Sequence, residues 1–451
     1  MKRTTRATLS VLAAGAAITA LALTGCSSAG SASNSSNSSG SSNSSKSAPT
    51  LAPNKKVTIT FAEAMSSGSL KTELDKLTQQ FEQKNPNITV TLQPQPDYGT
   101  LKTKVDAAVT AGSPPTISQV YGNWAAAYAQ SDVLEPLTAY AAADPSAAEG
   151  LYKGIKNSLY IGKTMYMWPF NASTVVTFYN PDMLKAAGQS VPTTWTQFAA
   201  VAKAVSKNGV VALPIDPGSS SGPAGGTTIF ELIAQADGTP VFKNDGTPQF
   251  DSPAAVKALD YLVDLKKAGA VQTGTNYPGE TALGAQKGAF DISTSTSFYY
   301  DQQAVGGKFQ VAVAPVPGAE DGTRVNQING TNIAMFSNAS DDQKAAAWKY
   351  MQFLTDAETQ SAWAQATGYL PVNPKTLDLA DMKDYIAKNP YVTFASKDLA
   401  DSSAEPPYAW VDEAEGDLAA ALQSALAGNA TPTAALKDAQ DKAEKVMASD
   451  Q

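Results

Sequence analysis

The sequence predicts an α/β fold with two lobes, and three observations carry this prediction. The chain has 451 residues, which is the length of about two domains once a leader is removed. Residues 57–61 and 88–92 alternate like strands, and residues 70–81 between them place their apolar side chains on one helical face. This β-α-β order predicts a parallel sheet. Strand and helix patterns alternate again beyond residue 180, which predicts the second lobe.

The start of the chain has the pattern of a lipoprotein signal peptide over residues 1–25. Lys2, Arg3 and Arg6 precede an uncharged apolar run over residues 9–23, and Leu-Thr-Gly leads into Cys26. The alternative, a transmembrane anchor, is weaker because the run is shorter than the roughly 20 residues that span a bilayer. Cys26 is therefore the expected lipidation site, and residues 26–54, rich in Ser and Asn, are the expected tether. Cys26 is the only cysteine, so no intrachain disulfide can form.

The composition excludes several classes of function. Beyond the leader the chain keeps 30 basic and 41 acidic residues, a net charge of −11. This balance argues against nucleic acid and anionic lipid as partners. The chain has no histidine, so it lacks the commonest general base and the commonest transition-metal ligand. We therefore expect neither a metal nor a cofactor.

The stretch of residues 162–181 predicts a passage of the chain between the two lobes. Residues 165–168 read as a strand that ends at Pro169, and residues 174–179 read as a second strand. Phe170-Asn171-Ala172-Ser173 lies between them. The alternative interpretation is an ordinary β-hairpin beside a core.

Further boundaries follow from capping and turn residues. Helix starts are predicted at Ser69, Trp195, Ser252 and Ser340. Asp245-Gly246 predicts a hairpin turn. Strands are predicted over residues 311–315 and 333–336, and helices complete the chain.

Three motifs suggest catalysis or nucleotide binding but are incomplete. Residues 218–222 match the nucleophile elbow G-x-S-x-G, yet Pro223 follows and no histidine base exists. Gly162-Lys163-Thr164 resembles the end of a P-loop, but Asn157 stands where glycine is required. Asp412, Glu413 and Glu415 offer the paired carboxylates of a glycosidase, although such a run is more typical of a solvated helix face.

Three further motifs carry a resemblance to a known family. They are Phe178-Tyr179-Asn180-Pro181, Pro192-Thr193-Thr194-Trp195 and Gly368-Tyr369-Leu370-Pro371-Val372. In this order and spacing the chain resembles the bacterial extracellular solute-binding protein family 1, the sugar-binding lipoproteins of ABC importers. The nearest subgroup resembles the glycerol-3-phosphate-binding proteins, which share Gln119-Val120-Tyr121 and Pro169-Phe170-Asn171.

The resemblance implies a periplasmic-binding-protein-like (type II) fold with discontinuous lobes and a hinge of three crossings. The first lobe is expected to comprise residues 55–170 and 315–367. The second is expected to comprise residues 171–314 and 368–451.

The resemblance also implies a ligand cleft, with two departures from the subgroup. Gly122 replaces a glutamate, and no arginine lies near Pro407 and Tyr408, so that Arg324 is the only arginine beyond the leader. Because arginine is the preferred reader of phosphate, a sugar or polyol held by aromatic rings is expected instead. The expected ligand-binding residues are Glu63, Tyr98, Trp124, Trp168, Asn171, Ser173, Ser295, Ser297, Phe298, Tyr299, Gly330, Tyr369, Tyr408 and Trp410. Trp195, Trp348 and Trp363 lie at helical positions expected to be core.

The sequence therefore predicts a lipid-anchored, monomeric receptor on the outer face of the cell membrane, without enzyme activity. It is expected to capture a carbohydrate-like solute and deliver it to the permease subunits of an ABC importer. The alternatives are a receptor for glycerol 3-phosphate or a glycerophosphodiester, a surface glycosidase, and a structural or adhesive lipoprotein.

Overall fold

A computed structural model describes residues 47–218, 226–243 and 245–450. The predicted signal peptide, Cys26 and most of the predicted tether lie outside these residues. Within the described part of the chain, no helix is both long enough and apolar enough to cross a bilayer.

The first part of the described chain contains the predicted β-α-β unit and the two strands of the central stretch. The first helix begins at Gly68 with Ser67 as its N-cap, so the predicted cap at Ser69 is wrong by two residues. The elements are β1 (Val57–Glu63), α1 (Gly68–Lys84), β2 (Ile88–Pro94), α2 (Tyr98–Thr110), β3 (Ile117–Val120), α3 (Gly122–Gln130), α4 (Thr138–Ala143), α5 (Pro145–Glu149), α6 (Lys153–Asn157), β4 (Tyr160–Ile161), β5 (Thr164–Met165), β6 (Met167–Pro169) and β7 (Ser173–Tyr179).

The middle of the chain confirms the predicted turn and cap. Ser252 accepts a hydrogen bond from the backbone N–H of Ala255, and the chain reverses at Gly246, where φ is +85°. The elements are α7 (Pro181–Ala186), α8 (Trp195–Val205), β8 (Leu213–Ile215), α9 (Gly226–Ala236), α10 (Pro253–Lys267), β9 (Val271–Thr273), α11 (Pro278–Gly284), β10 (Phe290–Thr294), α12 (Ser297–Val305) and β11 (Ala312–Pro315).

The last part of the chain is mainly helical. Ser340 and Gln343 form a complete capping box at the predicted helix start. The elements are β12 (Ile328–Asn329), β13 (Asn332–Met335), α13 (Asp341–Thr355), α14 (Ala357–Thr367), a 3-10 helix (Pro374–Asp378), α15 (Ala380–Lys388), α16 (Tyr391–Asp401), α17 (Val411–Ala427) and α18 (Pro432–Ser449).

A five-stranded sheet forms the first lobe, with the strand order β2-β1-β3-β13-β6. β1 pairs in parallel with both β2 and β3, as the β-α-β pattern predicted. β13 inserts between β3 and β6 and runs antiparallel to both. The first lobe therefore takes β6 and β13 from the two stretches that border the second lobe.

A second sheet has β7 at its centre. β10 and β11 lie antiparallel on its two sides, and β12 pairs with its first residues. β6 and β7 belong to different sheets although only residues 170–172 separate them, so the central stretch is a passage between lobes and not a hairpin. β12 and β13 form a second passage in the same way.

Two hydrophobic cores accompany the two sheets. Phe61, Phe81 and Tyr350 lie in the first core, and Phe198, Phe230 and Phe290 lie in the second. The buried side chains of α17 and α18 also belong to the second core. The three tryptophans predicted as core, Trp195, Trp348 and Trp363, are buried, with exposed fractions of 7%, 8% and 2%.

The segment after α14 contacts both sheets. The sequence places residues 368–451 in the second lobe, and the buried side chains from Leu370 to Leu399 belong to a core that also contains Val176 and Phe178 of β7. Thr174 Oγ1 donates to the carbonyl of Ala395 at 3.1 Å. Ser403 lies beside the second passage, where its carbonyl accepts the N–H of Ile328 at 3.0 Å. We call residues 402–410 the third passage and propose that they contribute to the third crossing between the lobes.

Candidate functional site

Three chain segments meet between the two cores. The N–H of Asn171 donates to the carbonyl of Thr331 at 3.3 Å, and the N–H of Leu370 donates to the carbonyl of Ala172 at 2.7 Å. Residues 170–172 of the first passage thus lie between the second passage and the turn after α14. Backbone hydrogen bonds fix the three segments to one another at the border of the lobes.

Five polar side chains gather at this border, and we call them the hinge cluster: Tyr98, Gln119, Asn171, Thr331 and Tyr369. The hydroxyl oxygens of Tyr98 and Tyr369 are 3.3 Å apart. Gln119 Nε2 donates to Thr331 Oγ1 at 2.7 Å. Asn171 Oδ1 accepts from both the N–H and the Oγ1 of Thr331, at 2.7 and 3.1 Å. The cluster therefore presents hydroxyl and amide groups already held in place, as recognition of a polyhydroxylated ligand requires.

Gly330 permits this arrangement because no other residue fits its position. Its φ of +117° is unfavourable for residues with a side chain. A Cβ at this position would lie 2.4 Å from the carbonyl oxygen of Asn171. The second passage can approach the first only with glycine here.

Burial sets the protonation of the hinge cluster. It raises the pKa of the Tyr98 phenol above its usual value of 10.0 and raises the pKa of Tyr369 well above that value. Both hydroxyls therefore keep their protons at neutral pH and remain available as donors. The Nδ2 of Asn171, whose side chain belongs to a residue only 4% exposed, has no hydrogen-bond partner.

Aromatic rings extend from the hinge cluster along the first lobe. The ring of Tyr98 packs edge-on against Tyr121 with centroids 5.2 Å apart, and Tyr121 packs in the same way against Trp124 at 4.9 Å. Tyr369 stacks on Trp363 at 6.0 Å. Trp124 is only 6% exposed, so it supports Tyr121 from behind.

Exposed tyrosines border the same region from the second lobe. Tyr277, Tyr299, Tyr300 and Tyr408 are the large apolar side chains exposed in the described residues. Burial is the main cause of the raised pKa of Tyr369, and Tyr300, which the sequence did not single out, adds to it. Tyr408 stacks on Trp410 at 6.0 Å, and Trp410 packs on Phe242 in the second core.

Three glutamates form a second group, which we call the carboxylate cluster: Glu231, Glu405 and Glu415. Burial raises the pKa of Glu231 from 4.5 to about 7. Burial likewise raises the pKa of Glu405 and raises that of Glu415 well above its usual value, and the neighbouring carboxyls add to the shift of Glu415. Burial raises the pKa of Tyr121 well above its usual value of 10.0, and the charges of Glu405 and Glu415 add to this shift.

The start of α3 lies against the third passage. Gly122, at the start of α3, lies so close to the third passage that its Cβ would be 3.3 Å from the Cβ of Pro407 and 4.0 Å from the carbonyl oxygen of Glu405. Gly122 is the position at which the resembling subgroup carries glutamate. Here the carboxylates come from α9, the third passage and α17 instead.

Several expected ligand-binding residues lie elsewhere. Trp168 is fully buried against Trp348, with centroids 4.7 Å apart, and its Nε1 donates to Thr355. Its expected place in the cleft is wrong, because β6 turns the ring into the first core. Phe298 packs between Phe178 and Tyr391, so it also serves the packing of the lobe.

Glu63 and Ser173 lie at strand ends, Glu63 at the end of β1 and Ser173 at the start of β7. The Glu63 carboxylate accepts the N–H of Met65 near the start of α1, and burial raises its pKa to about 7. Ser173 is buried at the start of β7, where it pairs with Asn329.

The serines of the second lobe are already engaged. Ser295 Oγ donates to the carbonyl of Gly368 at 3.3 Å, and the hydroxyls of Ser293 and Ser297 are 2.6 Å apart. Ser295 thus ties the second lobe to the turn after α14.

The ligand-binding residues expected from the sequence do not include Gln119, Tyr121 and Thr331, although the position of the first two in the chain could have indicated them. Gln119 and Tyr121 lie at the carboxyl end of β3, and ligands of parallel α/β sheets bind outside the carboxyl ends of strands. The carboxylate cluster gives no such signal, because its members are far apart in the chain.

Comparison with known proteins finds one matching family model. The model described as bacterial extracellular solute-binding protein matches residues 76–390. The sn-glycerol-3-phosphate-binding periplasmic protein UgpB of Escherichia coli strain 536 is 26% identical over 418 residues, covering 86% of this chain and 92% of its own.

Two solved structures share the fold. UgpB from Mycobacterium tuberculosis in complex with glycerophosphocholine aligns with a TM-score of 0.78 at 19% identity, covering 87% of this chain and 98% of its own. The cyclic alpha-maltosyl-1,6-maltose binding protein from Arthrobacter globiformis aligns with a TM-score of 0.76 at 20% identity, covering 87% and 99%.

Proposed function

The chain belongs to the bacterial extracellular solute-binding proteins, and we propose that it is the receptor of an ABC importer that captures a sugar or polyol between its two lobes. The family consists of binding proteins that act outside the cytoplasm and not of enzymes. The prediction of a binding protein rather than an enzyme is thereby confirmed. Delivery to the permease, a monomeric state and the lipid anchor at Cys26 are parts of the proposal.

The hinge cluster is the observation that carries this proposal. Its hydroxyl and amide groups are fixed at the border of the lobes, and the unpartnered Nδ2 of Asn171 is a buried donor that a ligand hydroxyl can satisfy. Aromatic rings beside it, those of Tyr98, Tyr121 and Tyr369, offer flat faces to the C–H groups of a sugar ring. This combination suits a neutral polyhydroxylated solute.

Closure of the lobes follows from where the proposed contacts lie. Tyr98, Tyr121 and Trp124 belong to the first lobe, whereas Tyr299 and Tyr408 lie on the opposite side. A ligand that touches both sides favours the closed arrangement by the free energy of the contacts that only this arrangement provides. The passages at residues 170–172, 330–331 and 402–410 form the hinge.

Capture of a glycerophosphate compound is the second candidate, because a relative at 26% identity is named for binding sn-glycerol 3-phosphate. The position of Arg324 argues against a phosphate held by arginine. Its Nη2 lies 3.0 Å from Asp398 Oδ1, and Asn326 Nδ2 donates to the other oxygen of Asp398 at 2.8 Å. Arg324 therefore has a structural role beside the second passage.

A thermal-shift screen tests the proposed function. Sugars, polyols, sn-glycerol 3-phosphate and glycerophosphodiesters are added to the purified protein, and the same samples are assayed for product. A ligand at 100 times its Kd stabilises the folded state by about 2.7 kcal/mol, so a sugar or polyol is expected to raise Tm without turnover. Glycoside hydrolysis that is lost on Asp412→Asn or Glu413→Gln would favour the glycosidase.

An arginine variant separates the two candidates. Arg324→Ala is expected to lower Tm and to leave the affinity for a bound sugar or polyol unchanged. A large, salt-sensitive loss of sn-glycerol 3-phosphate binding in Arg324→Ala would overturn the sugar proposal in favour of the phosphate candidate.

A further inference from the structure

The two side-chain amides of the hinge cluster are each held in one orientation by a backbone donor. The N–H of Ala64 donates to Gln119 Oε1 at 2.7 Å, and the N–H of Thr331 donates to Asn171 Oδ1 at 2.7 Å. A backbone N–H only donates, so turning either amide over would place two donors against each other. The orientation of both amides therefore follows from the backbone around them.

The amides in turn fix the hydroxyl between them. Gln119 Nε2 can only donate, and it donates to Thr331 Oγ1 at 2.7 Å. The hydroxyl hydrogen of Thr331 therefore points to Asn171 Oδ1, 3.1 Å away. Every hydrogen bond in this series runs in the same direction, from Ala64 after β1 through Gln119 and Thr331 to Asn171. The series ends in a donor, because the remaining polar atom of the Asn171 side chain is Nδ2.

This terminal donor has no acceptor. Asn171 Nδ2 is buried in a residue only 4% exposed, and none of the described residues accepts a hydrogen bond from it. A buried donor without an acceptor is destabilising, but it stays in place here because Oδ1 of the same amide accepts two hydrogen bonds from Thr331. An acceptor from outside the chain would therefore pair with a donor that is already oriented.

The surroundings of Asn171 also lack acceptors. Trp363 Nε1 is a second buried donor without a partner, in a residue only 2% exposed. Its ring packs on Phe170, with centroids 5.3 Å apart, and stacks on Tyr369 at 6.0 Å. Tyr98 and Tyr369 are only half-buried, so the hinge cluster borders solvent on their side.

We propose that Asn171 determines specificity in the cleft, because its Nδ2 donates to an oxygen of the ligand and so requires a hydrogen-bond acceptor at this point. This inference rests on the function proposed above and names what the solute must present to the hinge cluster. A hydroxyl, a ring or glycosidic oxygen and a phosphoryl oxygen all accept hydrogen bonds. An ammonium group does not, because it only donates.

Asn171→Asp tests the polarity of this contact. The introduced carboxyl keeps an oxygen that accepts from Thr331 but replaces the Nδ2 donor with a second oxygen, which repels an acceptor. A ligand hydroxyl that turned its hydrogen towards this oxygen would lose the hydrogen bond that it donates elsewhere. Maltose, D-glucose, glycerol, sn-glycerol 3-phosphate and glycerophosphocholine are titrated by calorimetry into both proteins. Affinity for the probe that the wild-type protein binds most tightly is expected to fall about tenfold or more.

A change of pH separates a contact with the ligand from a structural role. Protonation of the introduced carboxyl restores a donor, so the loss of affinity relative to the wild-type protein should be smaller at about pH 5 than at about pH 8. The hydroxyls of Tyr98 and Tyr369 keep their protons over this range in both proteins, because burial raises their pKa values. Asn157→Asp adds the same charge at an exposed position at the end of α6, and this matched control should bind like the wild-type protein.

The wild-type protein supplies a measurement that does not depend on the folding of a variant. In protein made with isotope-labelled asparagine, the nuclear magnetic resonance signal of the Asn171 side-chain amide is expected to shift when the bound probe is added. An unchanged signal in the presence of saturating probe would overturn the inference.

The outcomes distinguish this inference from the proposed function. An affinity unchanged in Asn171→Asp, or a loss of the same size at both pH values, overturns the role of Asn171 and leaves the proposed function standing. A loss seen with a sugar or polyol supports both proposals. A loss seen only with the two phosphate-containing probes supports the role of Asn171 and assigns the acceptor to a phosphoryl oxygen, in favour of the second candidate. Failure of every probe to bind the wild-type protein overturns both.

Discussion

The hydroxyl oxygens of Tyr98 and Tyr369 lie 3.3 Å apart although 271 positions separate them in the chain. Tyr98 begins α2 and Tyr369 follows α14, so their contact joins the edge of the parallel sheet to the turn at the lobe border. Tyr369 is also held by stacking on Trp363. The pair therefore connects the proposed ligand site to the first core.

Removal of either hydroxyl is expected to weaken ligand binding. Tyr98→Phe and Tyr369→Phe keep the ring contacts and each remove one hydrogen-bonding group, which contributes about 1 kcal/mol. The double variant is expected to lose less than the sum of the single losses, because the two hydroxyls contact each other. Calorimetric titration of all four proteins measures this coupling. Fully additive losses would show that the two tyrosines contact the ligand independently.

Truncation of buried and of exposed aromatic side chains is expected to change different properties, stability in the first case and affinity in the second. Trp168→Ala and Trp348→Ala should lower the free energy of unfolding by about 3–5 kcal/mol, because both rings are buried against each other. Tyr299→Ala and Tyr408→Ala should leave stability within about 0.5 kcal/mol and reduce affinity, because their rings are exposed. Denaturant unfolding and calorimetry on one panel separate the classes. An affinity unchanged in both tyrosine variants would remove these rings from the site.

Gly330→Ala is expected to disturb the hinge. The new Cβ would lie 2.4 Å from the carbonyl oxygen of Asn171 at a φ of +117°, so the second passage must shift and the hinge cluster with it. We expect a loss of about 1–3 kcal/mol in stability together with reduced affinity. Gly322→Ala is the matched control, since its φ is +85° but nothing lies within 4 Å of the added Cβ. It should lose stability alone, and an equal loss of affinity in both variants would contradict the role assigned to Gly330.

The carboxylate cluster makes stability depend on pH. Burial raises the pKa of Glu231 from 4.5 to about 7, so the folded protein holds this proton more tightly than the unfolded chain does. The free energy of unfolding therefore falls as pH rises from about 4.5 towards about 7.

The comparison with Glu231→Gln isolates this effect. Burial also raises the pKa of Asp291 to about 7 and that of Asp301 to about 10, but these groups contribute equally to both proteins. Asp412 also raises the pKa of Glu415 and remains in the variant. Denaturant unfolding between about pH 5 and about pH 8 should show a smaller fall in stability for Glu231→Gln. Identical profiles would show that Glu231 does not titrate in this range.

Cys26→Ser tests the proposed anchor. The variant lacks the thiol needed for lipid attachment, so it should appear in the aqueous phase of a detergent partition while the wild-type protein appears in the detergent phase. Ligand affinity should be unchanged, because the proposed ligand contacts begin at Tyr98, far along the chain from Cys26. Retention of the variant in the detergent phase would contradict the lipoprotein prediction.

Local patterns predicted most of the fold because they report on short-range structure. The β-α-β unit, the strand of β7 and the caps at Ser252 and Ser340 each follow from neighbouring residues. The side on which Trp168 packs does not follow from neighbouring residues, because it depends on the pairing of β6 with β13. Similarly, the segment after Gly368 has helical periodicity whichever core it packs against, so its packing partners could not be predicted from its pattern.

The candidate site was predictable in part for the same reason. Tyr98, Asn171, Gly330 and Tyr369 lie in motifs next to the predicted passages, and the structure brings them together. The carboxylate cluster depends on three distant segments, and the charge pattern of α17 resembles a solvated face. Asp412 and Glu413 are indeed exposed there, while Glu415, one turn further along the helix, turns inward.

The absence of histidine from the sequence gives the buried glutamates an experimental signature. In most proteins imidazole groups dominate proton exchange near neutral pH. Here the carboxyls with raised pKa values are the side chains that titrate in that range. A ligand that changes the ionisation of Glu231 must therefore release protons to the buffer or take them up from it, and calorimetry in buffers of different ionisation enthalpy counts them directly. The number of protons exchanged reports how far binding has changed the ionisation of these carboxyls.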